Sequence, residues 1–270
     1  MFLFSSRGTE QPQDVPAVEF VRRVLTHELK AEEQDQSNWL FRLGIEKPNG
    51  QKEVDELVET KQGDLTRPIL INGRELTAEE QQKADKRLQQ IARNPGALQK
   101  SLNDKNQDAA RSRRLLKMLP DAFLFNYGER KGDLQQLHFS PNPHFRPSSH
   151  EAEVFHAMEG SIRVDTKQER VAEISGHLIH TVKFDRGLLG HLDQGGTFEV
   201  RQAEVAPGYW ELTALHVHMK GKALFFKTIS VQQYYSRSEL KLVPQNLTVA
   251  QGIDILRHTA STNRQQDSRR

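Results

Sequence analysis

From Asp121 to about Val243 the chain is a succession of extended segments, and this constrains the fold more than any other feature. The segments are Asp121–Tyr127, Leu134–Ser140, Ala152–Val164, Val171–Phe184, Thr197–Val205, Tyr209–Lys220 and Ala223–Ser236. Between them stand turn residues such as Pro141-Asn142-Pro143, Pro207-Gly208 and Lys220-Gly221-Lys222. Strands joined by short turns in chain order pair as an antiparallel meander. No strand–helix alternation occurs, which excludes a parallel nucleotide-binding sheet.

The strands are two-faced. Ile174, Leu178, Val182 and Phe184 share one face of their segment, and Glu173, Ser175, His177, Thr181 and Lys183 share the other. Phe198 and Val200 likewise oppose Glu199 and Arg201. Period-two alternation means burial on one side. In Tyr209–Lys220 the apolar phase moves from Trp210, Leu212 and Ala214 to Leu215, Val217 and Met219, as a bulge near Ala214 or a change of covering partner would produce.

A broad sheet that is apolar on one side needs covering, and helices are few. Phe20, Val21, Val24, Leu25 and Leu29 recur at helical spacing over Asp14–Gln34, with Asp14 as N-cap. A hairpin follows, from Asn38–Ile45 and Lys52–Thr60 around Pro48-Asn49-Gly50. Then comes a polar helical insertion at about 77–120. Thr77-Ala78-Glu79-Glu80 is a capping box for a helix to about Arg93. A second helix, Leu98–Leu119, is polar in its middle and apolar only at its end, so it is expected to pack at one end and to stop at Pro120. A short helix at Thr248–Leu256 precedes a tail over 258–270, expected to be disordered, as is the N-terminus over 1–13. One domain over 14–257 is the expected organisation.

Composition narrows the chemistry. The 270 residues carry 38 Lys+Arg against 36 Asp+Glu, a net charge of +2, so no bulk field draws the chain to nucleic acid. The absence of cysteine excludes disulfides, a thiol nucleophile and thiolate-bound metal. No apolar run is long enough to cross a bilayer as a helix. The opening Met1-Phe2-Leu3-Phe4 fits the stump of an export signal and a native start equally.

The C-terminal half resembles the bacterial outer-membrane lipoprotein-sorting proteins, the lipoprotein carriers LolA and LolB and their relatives. The resemblance is carried by Met158-Glu159-Gly160-Ser161-Ile162-Arg163-Val164-Asp165, Val171-Ala172-Glu173-Ile174-Ser175-Gly176-His177-Leu178, Gly187-Leu188-Leu189, Gly195-Gly196-Thr197-Phe198, Pro207-Gly208-Tyr209-Trp210 and Gly221-Lys222. Phe139-Ser140-Pro141-Asn142-Pro143-His144-Phe145-Arg146-Pro147 is similar to uncharacterised bacterial members. The match spans about Asp121 to Pro244.

The resemblance implies an α+β, β-rich fold: a curved antiparallel sheet forming an unclosed half-barrel, with helices over its concave apolar face. It implies a non-enzymatic periplasmic carrier that holds lipid or lipoprotein acyl chains and needs no cofactor. The expected cavity wall is Ile174, Leu178, Val182, Phe184, Phe198, Val200 and Trp210, with Phe20, Val24 and Leu25 on the lid helix. The same apolar faces are equally compatible with an ordinary closed core. The second reading is an envelope-stress sensing or scaffold module resembling the sigma-factor regulator RseB, acting through a protein partner. The expected state is a monomer without a transmembrane segment. The polar insertion and the lack of an acylatable cysteine depart from the carrier pattern.

The sequence contains no Gly-x-Ser-x-Gly, P-loop or His-Glu-x-x-His motif. Among 11 histidines, His216 and His218 share a strand face and are the metal-ligand candidates of a distant third reading, a metal-dependent enzyme; they need a third ligand. His180 is placed on the apolar face of its strand, as a core histidine or a polar group at a cavity mouth. Arg111, Arg113, Arg114 and Lys117 read as a solvated helix face.

Overall fold

The computed structural model describes residues 15–47, 49–185, 190–223 and 227–267. The expected N-cap Asp14, the flexible 1–13 segment and Gly187-Leu188-Leu189 lie outside them. The elements in chain order are α1 (Ala17–Gln34), β1 (Asn38–Glu46), β2 (Lys52–Thr60), β3 (Gly63–Ile71), β4 (Arg74–Glu75), α2 (Ala78–Ala92), α3 (Pro95–Ala122), β5 (Phe123–Lys131), β6 (Leu134–Pro141) and α4 (His150–Glu153). A 3₁₀ turn (Val154–Ala157) leads to β7 (Met158–Asp165), β8 (Arg170–Leu178), β9 (Val182–Phe184), β10 (Gly190–Leu192), β11 (Thr197–Ala206), β12 (Tyr209–Ala223), β13 (Lys227–Val243) and α5 (Val249–Asp267).

All the strands belong to one antiparallel sheet, ordered β4-β3-β2-β1-β13-β12-β11-β8-β7-β6-β5, with β9 and β10 attached beside β12. Nearly every neighbour is a neighbour in sequence, as a meander requires. The exceptions are β8 against β11 and β10 against β12, which skip short strands, and β1 against β13, from Asn38↔Val243 to Glu46↔Tyr234, which joins the N-terminal hairpin to the last strand. The ends of the path, β4 and β5, do not pair among the described residues, so the sheet is not closed into a barrel.

Register explains the two faces. One row runs Leu137–Ile162–Ile174–Val200–Leu215–Tyr235–Ile45 across seven strands. The next position along each strand gives the opposite face, His138–Ser161–Ser175–Glu199–His216–Tyr234–Glu46. The predicted phase change in β12 is a bulge: Arg201 faces Ala214 but Gln202 faces Leu212, so Thr213 is the extra residue. Further register shifts interrupt β1/β13, β2/β3, β5/β6 and β7/β8, and bulges of this kind increase sheet twist.

The helices divide between the two faces. Helix α1 buries Phe20, Val21, Val24 and Leu25 against Leu137, Ile162, Val164 and Val171, together with Leu119 and Ala122 of α3. A second core joins Leu40, Val58 and Leu65 to Leu88 of α2, Leu98 of α3 and Leu256 of α5. Leu40 and Glu46 are both even-numbered positions of β1, so by alternation this second core lies on the face opposite α1.

Several expectations are corrected here. Helix α3 packs at both ends, through Leu98 and through Leu119, and only its middle is wet. Pro120 lies within its last turn, and the helix ends at Ala122, with the Phe123 N–H donating to the Leu119 carbonyl. Strand β3 was hidden by Pro68; the register shift between Val54 and Asp55 accommodates it. Ala152–Val164 begins as helical turns capped by Ser149 and becomes strand only at Met158. Val171–Phe184 breaks after Leu178, leaving His180 exposed in the bend, not in a core. Helix α5 continues to Asp267, through most of the stretch expected to be disordered.

One close approach is built on glycine. Gly160 and Gly176 face each other across β7 and β8, and the rings of Phe139 and Phe198 lie over them from either side. A Cβ on Gly160 would sit 2.0 Å from the Ser175 carbonyl oxygen and 2.6 Å from the Gly176 Cα, both backbone atoms that cannot turn aside. Gly160→Ala is therefore expected to destabilise the fold beyond the ~1–3 kcal/mol of ordinary overpacking, read as a lower urea midpoint. An unchanged midpoint would show that the strands can part at no cost.

Candidate functional site

A twisted sheet is a saddle, and each face of this one carries a hollow. On the α1 side, a cleft of about 880 Å³ opens between α1, the middle of α3 and strands β8, β11 and β12. Its apolar wall includes Leu25 of α1, Leu116 of α3, Ile174 of β8 and Trp210 and Leu212 of β12. The polar middle of α3, with Asp108, Ala109 and Ser112, forms the outer side. The cleft exists because α3 spans the sheet: 28 residues make a helix of about 42 Å. Lys105, bridging Glu59 and Asp64, holds one end of α3 beside β2 and β3, and the apolar Leu119 and Ala122 hold the other beside β5.

The expected wall residues divide accordingly. Ile174 and Trp210 line this cleft, and so does Leu25 of the expected lid. Leu178 and Val182 are buried in the core, with Phe184 and Phe198 packed against it. Phe20 and Val24 are 1 % exposed and belong to that same core. Val200 is half-buried between Ile174 and Leu215 in the apolar row.

The cleft also contains charges that the sequence reading passed over. Glu28 is buried on α1; its Oε1 accepts from the Val171 N–H at 2.5 Å, and its Oε2 pairs with Arg170 Nη2 at 2.9 Å. The Arg170 guanidinium lies 5.7 Å from the centre of the Trp210 ring, and Trp210 Nε1 donates to Gln168. Across the cleft, Arg237 Nη1 of β13 stands 3.5 Å from Glu211 Oε2, and the guanidinium carbon lies 4.8 Å from the Phe41 ring centre. Burial pushes the Glu211 carboxyl up to about 7; Arg237 opposes this, Glu59 and Asp35 add to it, and a hydrogen bond from Trp39 opposes it. A signal for Glu28 was present: it continues the stripe Val21, Val24, Leu25 at helical spacing, so a carboxylate there had to be buried and paired.

The opposite face carries a larger, open and polar groove of about 1150 Å³, bordered by strands from β5 to β1. His138, His177, His216 and His218 line it, with Glu159, Glu173 and Glu199. His216 Nδ1 is 3.1 Å from Glu199 Oε2, and its ring stacks on Tyr234 at 4.1 Å and 11°. His177 Nε2 is 3.3 Å from Glu159. Arg201 contacts both Glu199 and Glu173. His216 and His218 do share this face, yet among the described residues no three His, Asp or Glu side chains are placed to hold a metal ion. No helix among them is long and apolar enough to cross a membrane.

Comparison with protein-family models, with curated proteins and with solved structures finds no match. The functional reading therefore rests on the two hollows.

The Glu28–Arg170 pair ties α1 to β8 at the cleft wall. Glu28→Ala leaves a largely buried guanidinium and the Val171 N–H without their acceptor, and a loss of about 3–5 kcal/mol is expected. Urea denaturation measures it; a loss under about 1 kcal/mol would mean the pair is solvated like a surface bridge.

Proposed function

We propose that this chain is a non-enzymatic binding and carrier module of the bacterial periplasm, taking a lipid or lipoprotein acyl chain into the cleft between α1, α3 and the sheet. In this reading the sheet is an unclosed half-barrel and α1 with α3 is its cover. One observation carries the proposal: Ile174, Trp210 and Leu212 face Leu25 and Leu116 across a cleft of about 880 Å³, within the range of about 300–1,000 Å³ typical of small-ligand sites. The family resemblance of the C-terminal strands supports the same ligand class.

The energetics suit a carrier. Each buried methylene contributes about 0.8 kcal/mol, yet a single acyl chain gives a net association constant of only about 10⁴ M⁻¹ with a bilayer. A cleft with a similar apolar wall would hold one chain loosely enough to release it. The solvated middle of α3 covers the cleft with few apolar contacts, so local opening there costs less than opening at either anchored end.

A second reading, docking of a protein partner, is supported by the polar groove. It is exposed, lies on the face away from the cleft, and presents Tyr234 at 46 % exposure. The two readings occupy different faces and are tested separately.

The carrier reading is tested by native mass spectrometry and fluorescence titration with a neutral monoacylglycerol below its aggregation concentration. One bound chain per protein is expected. Ala109→Trp, which fills the cleft from the α3 side, should weaken binding at least tenfold while leaving the circular dichroism spectrum unchanged. Ile174→Glu should do the same if it folds. No uptake by the parent protein, or full uptake by Ala109→Trp, would overturn the cleft as the ligand site.

A further inference from the structure

The apolar wall does not account for the two arginines. Arg170 and Arg237 enter the cleft from β8 and β13, both lining it and both lying over aromatic rings. A largely buried guanidinium is costly unless its donors are used. Arg170 uses Nη2 on Glu28, but its Nε is buried without a hydrogen-bond partner. Arg237 is held less firmly: its 3.5 Å approach to Glu211 exceeds the ~2.7–2.9 Å of a charge-assisted hydrogen bond. One arginine of the wall thus carries a buried, unsatisfied Nε, and the other presents a loosely held charge to the cleft.

The carboxylates around them decide what could be received. Glu28 is matched to Arg170, Glu32 to Arg113 and Asp108 to Arg111, although burial, with Glu33 and Glu28 nearby, raises the Glu32 carboxyl against the pull of Arg113. Asp35 accepts from the Ser37 N–H. Glu211 faces Arg237 from β13, Glu59 from β2, Asp35 from the end of α1 and Trp39 from β1, and Lys105 of α3 is engaged by Glu59. Four carboxylates, Glu211, Glu59, Asp35 and Asp64, therefore stand around two cations, Arg237 and Lys105. Glu211 is the member that competes directly with an incoming anion for Arg237.

We propose that the cleft recognises the anionic head group of a single-chain amphiphile through Arg170 and Arg237, and that protonation of Glu211 frees Arg237 to receive it. This rests on the acyl-binding reading and adds its head-group chemistry and its control. The sign follows from the carboxyl. Above about pH 7 Glu211 is ionised and holds Arg237. Below that pH it is neutral, the arginine is unpaired, and an anion gains a partner without displacing a charge. Binding of the anion in turn favours protonated Glu211, so it takes up a proton near neutrality. Glu211 acts as a positioning residue, and the arginines make the contact.

The probes are lysophosphatidylglycerol, whose phosphodiester stays singly negative between pH 5 and 9, and a monoacylglycerol of the same chain, which is neutral. Both are titrated into the full chain and into Trp39→Phe, which leaves Trp210 as the sole tryptophan, at pH 5.5, 7.0 and 8.5, below their aggregation concentrations, with tryptophan fluorescence and isothermal titration calorimetry as readouts. Affinity for the anionic probe should rise about tenfold from pH 8.5 to pH 5.5, and that for the neutral probe should stay flat. Glu211→Gln should hold the anionic probe at its acid-side affinity at every pH. Arg237→Gln should bring it down to the neutral probe's level without changing the latter. Equal, pH-independent binding of both probes by the parent protein would overturn the head-group site and leave the acyl-binding reading standing. If neither probe binds, both fall. Should Arg237→Gln fail to fold, the pH profile of Glu211→Gln still decides, since a merely structural Glu211 would leave that profile unchanged.

Discussion

The pairing of β1 with β13 is the interaction on which the rest of the architecture depends. It closes a loop of about two hundred residues, from Asn38 to Val243, and makes two sets of strands into a single sheet. Without it β1 to β4 would be a separate four-stranded piece. Helix α3 would then have no second end to hold, and Arg237 on β13 would not stand over Phe41 on β1. The entropy of closing so long a loop grows only slowly with its length, so the cost falls on folding rate more than on stability. Most of the other pairings are local, which suits a sheet whose last step is joining its first strand to its last.

Much of the sheet was legible because alternation is a strong signal when one side is buried. The faces of β8 and β11 follow directly from Ile174 against Ser175 and Phe198 against Glu199, and the bulge in β12 from the phase change between Ala214 and Leu215, one residue past the extra Thr213. The illegible parts each have a physical cause. Pro68 disguised β3, whose neighbouring register shift makes room for a proline that periodicity alone would reject. The middle of α3 reads as solvent-facing, because Asp108 and Ser112 border a cleft and do not enter a core. Which apolar residues line space and which fill it could not be read at all. Ile174 and Leu178 share a strand and a hydrophobic character, yet one meets the cleft and the other is sealed in the core. That distinction depends on where α1 and α3 cross the sheet.

The two hollows differ because the two faces answer to different demands. On the α1 side the apolar row must be covered, and two helices cannot cover seven strands. What they leave over is the cleft, with exposed apolar surface that solvent penalises and a ligand would relieve. On the other side the row His138–Ser161–Ser175–Glu199–His216 is already at ease in water, so its groove needs no occupant to be stable. Helices α2 and α5 cover that face only where Leu40, Val58 and Leu65 make it apolar. Pressure for occupancy therefore falls on the cleft.

The charges within the cleft sharpen this argument. A wall intended only for packing would gain from replacing Glu28 and Arg170 by well-fitted apolar side chains, since a buried ion pair rarely stabilises more than its hydrophobic equivalent. The pair here leaves Arg170 Nε unsatisfied, a standing cost in the unliganded protein. Glu211 carries a second such cost, because burial and the nearby Glu59 and Asp35 oppose its ionisation. Both strains belong to residues that line one cleft, Arg170 on β8 and Glu211 on β12. Polar strain of this kind is rational where something arrives to relieve it. In the proposed reading, an acyl chain along the apolar wall with its anionic end beside Arg237 would replace Glu211 as that arginine's partner and remove the reason for Glu211 to stay charged.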